Sequence, residues 1–218
     1  MKTSLVSFCS TYCRGSNSNQ LREQWHEKAD VVIIGSGFAG LAAAIEAGNA
    51  GASVIILEKM KGRGGNSVIS DGLIAAAGSA LQMEQGIEDA PQAMFDDMLK
   101  AGLGLNHPDL VKLLVEKSAA TLQWTMDDLG VQYQQKVTQL GGHSRPRSHT
   151  TATQSGSVII RQMLAKVNAQ GLTVRSRVYF KKFILDKAGS VVGVKIRDGY
   201  QFPEAQSGSV KFIKATKA

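Results

Sequence analysis

Three glycines with the spacing G-x-G-x-x-G, at Gly35, Gly37 and Gly40, form the motif with the clearest chemical meaning in this chain. They stand between an apolar run at 31–34 and a small-residue, helix-favouring stretch at 41–50. In that context the first glycine permits a tight turn, the second lets the backbone approach a pyrophosphate, and the third allows close packing of helix on strand. The pyrophosphate would meet N–H groups at the helix N-terminus. The motif therefore predicts a dinucleotide site; the alternative is a glycine-rich turn without a ligand.

Glu58 is a second candidate for contact with a dinucleotide, because it directly follows another apolar run, at 53–57. A carboxylate at this position can accept hydrogen bonds from both ribose hydroxyls of an adenosine, and it repels a 2′-phosphate. The alternative is an incidental surface acid. The order strand, glycine turn, helix, strand predicts a βαβ unit with parallel strands, and hence the α/β class.

The rest of the chain alternates between helical and strand patterns. A proline suits the first helical position at 91 and at 108, and a glycine suits the end of the second of these helices. After residue 171 the pattern is typical of strands joined by tight turns, which predicts a β-hairpin or meander. The predicted helices are 91–100, 108–129 and 157–168, and the predicted strands are 172–176, 181–185 and 191–196.

Composition excludes several classes of protein. The chain has 218 residues, 43% of them hydrophobic, and a formal net charge of +7. No apolar run approaches the roughly 18 residues that span a bilayer. Residues 1–28 are expected to be a polar leader or linker, with no convincing signal peptide. They contain both cysteines, Cys9 and Cys13, to which no role is assigned. Location is therefore left open between periplasm and cytoplasm.

The positive charge is concentrated at the C-terminal end, where residues 171–218 carry ten Lys and Arg against three Asp and Glu. A surface for binding polyanions is one interpretation. The basic residues alternate with Val, Phe, Ile and Leu, as they would on the solvated face of a sheet, and this second interpretation is favoured. The acidic pairs 96–97 and 127–128 are likewise expected to lie on solvated helix faces. The histidines lack metal-ligand spacing, so no metal site is predicted.

The stretch after Glu58 distinguishes between dinucleotides. It reads K-M-K-G-R-G-G-N-S, followed shortly by S-D-G, where a nicotinamide-binding domain would continue into a helix and strand. This segment resembles the second phosphate-contacting and flavin-contacting loop of FAD-dependent proteins.

Five motifs in order then resemble the FAD-binding domain of the fumarate reductase and succinate dehydrogenase flavoproteins, especially the soluble flavocytochrome c and urocanate reductase branch. They are D-V-V-I-I-G-S-G-F-A-G-L-A-A-A, the E-K after the second strand, G-G-N-S-V-I-S-D-G, L-N-H-P-D-L-V-K-L-L and G-G-H-S-R-P-R-S-H-T. The likeness covers about residue 28 to the C-terminus. It implies a Rossmann-like FAD-binding domain at 29–218.

The resemblance also implies where FAD would lie. Its pyrophosphate would meet the glycine turn, its ribose Glu58, and its adenine the backbone near Phe180. In the membrane-bound branch the position of Asn66 is a histidine that is covalently attached to FAD, and Asn66 cannot form that bond. We therefore expect non-covalent FAD. The implied cofactor-binding residues are Gly35, Gly37, Ala39, Gly40, Glu58, Gly65, Asn66, Ser67, Gly72, Leu73 and Phe180.

The implied reaction is hydride transfer from the flavin to the activated double bond of an unsaturated carboxylate. The family's proton-donating arginine and its substrate clamp lie in a capping domain that this chain is expected to lack, since it stops at Ala218. Arg147 and His149 match an Arg-x-His loop and are weak catalytic candidates; a structural role for both is favoured. Electrons would come from a cytochrome or another donor, and a companion chain could supply the missing half.

Three hypotheses follow. The first is an FAD-dependent oxidoreductase of fumarate reductase type, represented here mainly by its FAD-binding half. The second is a truncated, catalytically inactive FAD-binding module. The third, a nucleic-acid or polyanion binder that uses the basic C-terminal strands, is disfavoured.

Overall fold

The computed structural model describes residues 25–217. Most of the expected leader at 1–28, with Cys9 and Cys13, lies outside the described residues. The described chain divides into two compact units. The first contains residues 25–36, 43–62 and 172–217, and the second contains residues 37–42 and 63–171.

A three-stranded parallel sheet lies in the first unit, in the order β2-β3-β6. It is formed by β2 (Val31–Ile34), β3 (Val54–Leu57) and β6 (Val174–Arg175). β2 and β3 pair in register from Val31 opposite Val54 to Ile34 opposite Leu57, and α1 (Phe38–Asn49) connects them. The sequence order strand, glycine turn, helix, strand is therefore present as predicted.

A second sheet in the same unit has the order β1-β9-β8-β7. Its strands are β1 (Glu27–Ala29), β7 (Val178–Leu185), β8 (Val191–Asp198) and β9 (Ser209–Ala215). β7, β8 and β9 form an antiparallel meander, whereas β1 joins β9 in parallel. One face of this sheet packs against β3 in a hydrophobic cluster of the first unit, which contains Leu57, Val178, Val194, Ile196 and Ile213.

The second unit is mainly helical. Its helices are α2 (Ala80–Glu84), α3 (Pro91–Ala101), α4 (Pro108–Asp127) and α5 (Gly156–Ala169). Prolines occupy the first turns of α3 and α4, where the missing N–H costs no helical hydrogen bond. A short antiparallel sheet pairs β4 (Leu73–Ala75) with β5 (Ser148–Thr150), and a 3-10 helix spans Gly65–Ile69.

The predicted fold class, an α/β protein with a parallel sheet and a meander, is confirmed. Several elements differ from the sequence prediction. β1 begins inside the expected leader, and α2 and the β4–β5 pair fall in stretches where no element was predicted. β1 was hidden because a three-residue strand carries almost no periodicity. The domain boundaries 1–28 and 29–218 stay a prediction.

Candidate functional site

Gly35 makes the turn that leaves β2. Its φ of +99° lies in a region that residues with a Cβ rarely adopt, and its N–H donates to the Leu57 carbonyl at 2.7 Å. The turn therefore requires glycine for its backbone conformation, as the sequence analysis proposed.

Glu58 lies at the carboxyl end of β3 and is 6% exposed. One carboxylate oxygen, Oε2, accepts the Ser36 hydroxyl at 2.6 Å and the Ser36 N–H at 3.1 Å. The other oxygen, Oε1, accepts the Met60 N–H at 2.8 Å. Each carboxylate oxygen has two lone-pair directions, and three of these four are used here, so Oε1 can still accept one bond from a ligand. The contacts argue against an incidental surface acid, because a carboxylate is seldom buried without such partners.

The backbone around Glu58 is held by the segment that leads from β6 into β7. The Glu58 N–H donates to the Arg175 carbonyl, and the Val178 N–H donates to the Glu58 carbonyl, both at 2.8 Å. Phe180 lies two residues further along β7, packs against the first unit's core and contacts the Phe183 ring at 4.7 Å between centroids. The start of β7 is thus adjacent to Glu58.

In the second unit, the start of α1 approaches the 3-10 helix. The Phe38 N–H donates to the Ser67 hydroxyl oxygen at 3.2 Å. A Cβ added to Gly37 would lie 3.2 Å from the same oxygen and 3.8 Å from the Gly64 carbonyl oxygen. The first N–H groups of an α-helix have no hydrogen-bond partner inside the helix, so they can donate to an anion. A Cβ at position 37 would occupy the space in front of these donors. Ala39 and Gly40 belong to this first turn, and Ala39 is exposed.

The segment from Gly64 to Leu73 carries the other predicted cofactor residues. Gly65, Asn66 and Leu73 are exposed, Ser67 is half-buried and Gly72 is buried. Gly72 has a φ of +66°, and an added Cβ there would lie 2.4 Å from the Thr151 hydroxyl oxygen. Glycine is therefore required at this position for packing against the loop that follows β5.

Arg147 lies immediately before β5 and is completely buried. Its guanidinium makes two parallel bonds to Asp89, from Nε at 2.9 Å and from Nη2 at 2.8 Å, and a third from Nη1 to Asp97 at 2.5 Å. Burial alone would lower the pKa of Arg147, but these bonds outweigh it and raise the pKa above its ordinary value. The guanidinium is thus engaged by protein carboxylates, which favours the structural role.

The carboxylates respond in the opposite direction. Burial would raise the pKa of Asp97, but bonds from the Ser144 N–H and hydroxyl and from Arg147 lower it to about 2. The pKa of Asp89 is also lowered, because bonds from Arg147 and Gln82 outweigh the effect of burial. The expectation of a solvated helix face at 96–97 is wrong for Asp97, whose side chain is 15% exposed and ion-paired.

His149 is 1% exposed and lies in β5, opposite Ile74 of β4. Its Nδ1 faces the carbonyl oxygens of Arg147 at 2.9 Å and Ile74 at 3.3 Å. Carbonyls only accept, so Nδ1 carries the proton, and in the neutral ring Nε2 accepts the Ser79 hydroxyl at 2.8 Å. Burial lowers the pKa of His149, which keeps the ring neutral. Nδ1 therefore ties β5 to β4, and Nε2 ties β5 to the start of α2.

Three further residues, which were not among the predicted site residues, complete this arrangement. Ser36 anchors Glu58, and Ser79 with Gln82 forms a capping box at the start of α2, from which Gln82 also reaches Asp89 at 2.9 Å. The S-A-L-Q sequence at 79–82 matches the known capping-box pattern and was available as a signal. Ser36 offered no signal beyond its place within the glycine motif.

Residues 25–217 contain neither of two other kinds of site. Within that range no group of three or more His, Cys, Asp or Glu side chains is placed to hold a metal ion. No helix of the described part of the chain is long and apolar enough to cross a membrane.

A glycine turn between a parallel strand and a helix, with an anchored carboxylate at the end of the next strand, defines a dinucleotide-binding α/β protein. Comparison of the sequence with family models narrows this class. The chain belongs to the FAD binding domain family, whose model matches residues 30–218. The resemblance to the fumarate reductase flavoproteins is confirmed.

Known proteins agree with this assignment. The chain is 42% identical over 202 residues to the acrylate reductase flavoprotein subunit of Shewanella woodyi, a match that covers 92% of this chain and 39% of that one. It is 35% identical over 167 residues to the urocanate reductase of Eggerthella lenta, covering 76% of this chain and 28% of that one. The open conformation of a flavocytochrome c3 fumarate reductase superposes with a TM-score of 0.80 at 30% identity, covering 88% of this chain and 33% of that chain. The chain thus spans well under half the length of these relatives.

Proposed function

We propose that this chain is the FAD-binding portion of an FAD-dependent reductase that acts on the activated C=C bond of an unsaturated carboxylate. Membership of the FAD binding domain family carries the proposal, and the relatives that act on acrylate, urocanate and fumarate support the substrate class. FAD, when bound, supplies hydride from its reduced flavin ring.

The residues of the chain fit FAD. Glu58 is anchored by Ser36 and Met60 with one lone-pair direction of Oε1 left to accept a ribose hydroxyl. The turn at Gly35 leads to helix N–H groups suited to a pyrophosphate. The adenine would meet backbone near Phe180. The flavin end would be lined by the exposed residues Gly65, Asn66 and Leu73, together with Ser67 and Gly72.

FAD is bound non-covalently in this proposal. Asn66 is exposed where the membrane-bound relatives have their flavin-linked histidine, and a carboxamide has no nucleophilic ring nitrogen to form that bond. In this proposal neither Arg147 nor His149 contacts substrate. His149 ties β5 to β4, on which Leu73 lies, and Arg147 ties the start of β5 to Asp89 and to Asp97 of α3.

Flavin release tests the cofactor assignment. The purified protein should show a flavin absorption band, and acid or heat denaturation followed by filtration should put all of the flavin in the filtrate. A protein that stays colourless after incubation with FAD would refute FAD binding. Flavin that remains with the precipitate would refute non-covalent attachment.

A second candidate function is an FAD-binding module that is inactive by itself. It is favoured by the length of the relatives, since the chain covers 39% of the acrylate reductase subunit. Oxidation of reduced viologen with acrylate, urocanate or fumarate separates the two. Turnover supports the reductase, and bound FAD without turnover of any of these acids supports the module. The donor and any companion chain are then sought by adding a cytochrome or a separately expressed partner.

A further inference from the structure

The four-stranded sheet of the first unit has one face in the core and one outside it. Val194 in β8 and Ile213 in β9 are both buried in the core. Because successive side chains along a strand alternate between faces, the next residues, Lys195 and Lys214, lie on the outer face. Lys182 is the cross-strand partner of Lys195, so it shares that face.

Two pairs of lysines stand directly opposite each other on this outer face. Lys28 of β1 is in register with Lys214 of β9, and Lys182 of β7 is in register with Lys195 of β8. We call these four residues the lysine face. Like charges directly opposite in a sheet destabilise it, so these pairs work against folding.

No carboxylate within residues 25–217 forms an ion pair with any residue of the lysine face. Other basic groups of the same unit do have such partners: Arg175 pairs with Glu27, and Lys211 pairs with Asp198, each at 2.6 Å. Lys195 instead lies over the Phe212 ring, at 5.6 Å from its centroid. The repulsion within the two lysine pairs is therefore not offset by carboxylates of the described residues.

The aromatic side chains near the lysine face distinguish between possible anionic partners. Single-stranded nucleic acid binds to sheets through bases that stack on open aromatic rings. Here the Phe212 ring is stacked with His26 at 5.9 Å, and the Tyr179 ring is stacked with Tyr200 at 4.8 Å. The Trp25 ring on the same face packs against Gly193. These rings are already in contact with other parts of the chain, whereas the ammonium groups of the lysine face have no carboxylate partner among the described residues.

We propose that the lysine face is a docking surface for a protein that carries a complementary cluster of carboxylates. Carboxylates placed between opposed lysines would relieve their repulsion and form several ion pairs at once. The inference does not depend on FAD or on the reaction proposed above, because it rests on strand register and charge alone.

Binding of poly-L-glutamate, a defined acidic polypeptide, tests the proposal by fluorescence anisotropy on the full chain. We expect binding that weakens as salt is raised. K182E/K195E should bind about tenfold more weakly, which corresponds to about 1.4 kcal/mol shared between two ion pairs. The matched control is K112E/K117E, which makes the same change in net charge at exposed positions of α4 in the second unit.

A further variant guards against loss of folding. Lys195→Gln removes one like-charge pair without introducing a new charge, so it should bind poly-L-glutamate more weakly while its Tm stays equal to the parent's or rises. The proposal is overturned if poly-L-glutamate does not bind, or if the control weakens binding as much as K182E/K195E. It is also overturned if a single-stranded oligonucleotide or a phosphatidylserine vesicle binds more tightly than the polypeptide and depends on the same lysines.

Discussion

Replacing Arg147 with methionine should lower the free energy of unfolding by about 3 to 5 kcal/mol, the cost of removing one partner from a buried ion pair. The guanidinium and the Asp89 side chain are both 0% exposed, and the Asp97 side chain is 15% exposed. Three charge-assisted bonds join them. Methionine fills similar space but leaves the Asp89 carboxylate buried beside an apolar chain.

The expected loss is large against the 5 to 15 kcal/mol that stabilises a typical domain. At about 2 to 4 °C per kcal/mol for a chain of this size, the Tm should fall by roughly 10 °C. Thermal unfolding monitored by circular dichroism measures the Tm, and urea titration measures the free energy of unfolding. Arg145→Met is the matched control, because Arg145 is exposed and donates only to the neighbouring Ser144 carbonyl.

A double variant separates the desolvated charge from the loss of packing. Arg147→Met combined with Asp89→Leu removes both members of the fully buried pair, so it should be more stable than Arg147→Met alone. The reasoning is refuted if Arg147→Met changes the free energy of unfolding by less than about 1 kcal/mol, or if Arg145→Met costs as much.

Three further predictions concern the cofactor site and the buried histidine. Glu58→Gln should weaken FAD binding by about 10- to 100-fold, since hydrogen bonds to a charged group contribute about 1.5 to 3 kcal/mol. Glu46→Gln, on the exposed surface of α1, should leave FAD binding unchanged, and flavin fluorescence titration measures both affinities. Gly35→Ala should lower the free energy of unfolding by about 1 to 3 kcal/mol, because Gly35 has a φ of +99°. Gly62→Ala, with open space around its added Cβ, should lower it far less, and urea titration measures both. Burial lowers the pKa of His149 from its ordinary 6.5, so the unfolded chain takes up a proton before the folded chain does, and stability falls as the pH drops below about 6.5. In His149→Asn the free energy of unfolding in urea should depend less on pH between about pH 7 and 5. A pH dependence equal to the parent's would contradict this prediction.

The parallel βαβ unit could be predicted from local sequence because each of its parts follows a local rule. The β-branched run of β2, the glycine turn and the small-residue helix α1 each have a strong intrinsic preference for the structure they adopt. The same holds for the proline-led starts of α3 and α4. The glycine at position 35 was correctly explained, since only its backbone freedom satisfies the turn.

The partners of Arg147 could not be predicted, because Asp89 and Asp97 are more than forty residues away in the chain and their contacts depend on packing. Asp97 belongs to an acidic pair that looks solvated on a helix, and only the position of β5 against α3 makes it an ion-pair partner. The loop motif R-S-H indicated that Arg147 and His149 mattered, but not whether they face a ligand or the protein interior.

The sequence by itself determined the class of site, because glycine conformation, helix termini and an acidic residue at a strand end are local features with a direct chemical meaning. Tertiary structure decided which partner each charged or polar side chain contacts. It engaged the Arg147 guanidinium with the fully buried Asp89 and the partly exposed Asp97, fixed the tautomer of His149 between two carbonyls and a hydroxyl, and set lysines opposite each other across β1–β9 and β7–β8. Charge acts through space, so its effect depends on distances and burial that arise only when segments remote in the chain pack together.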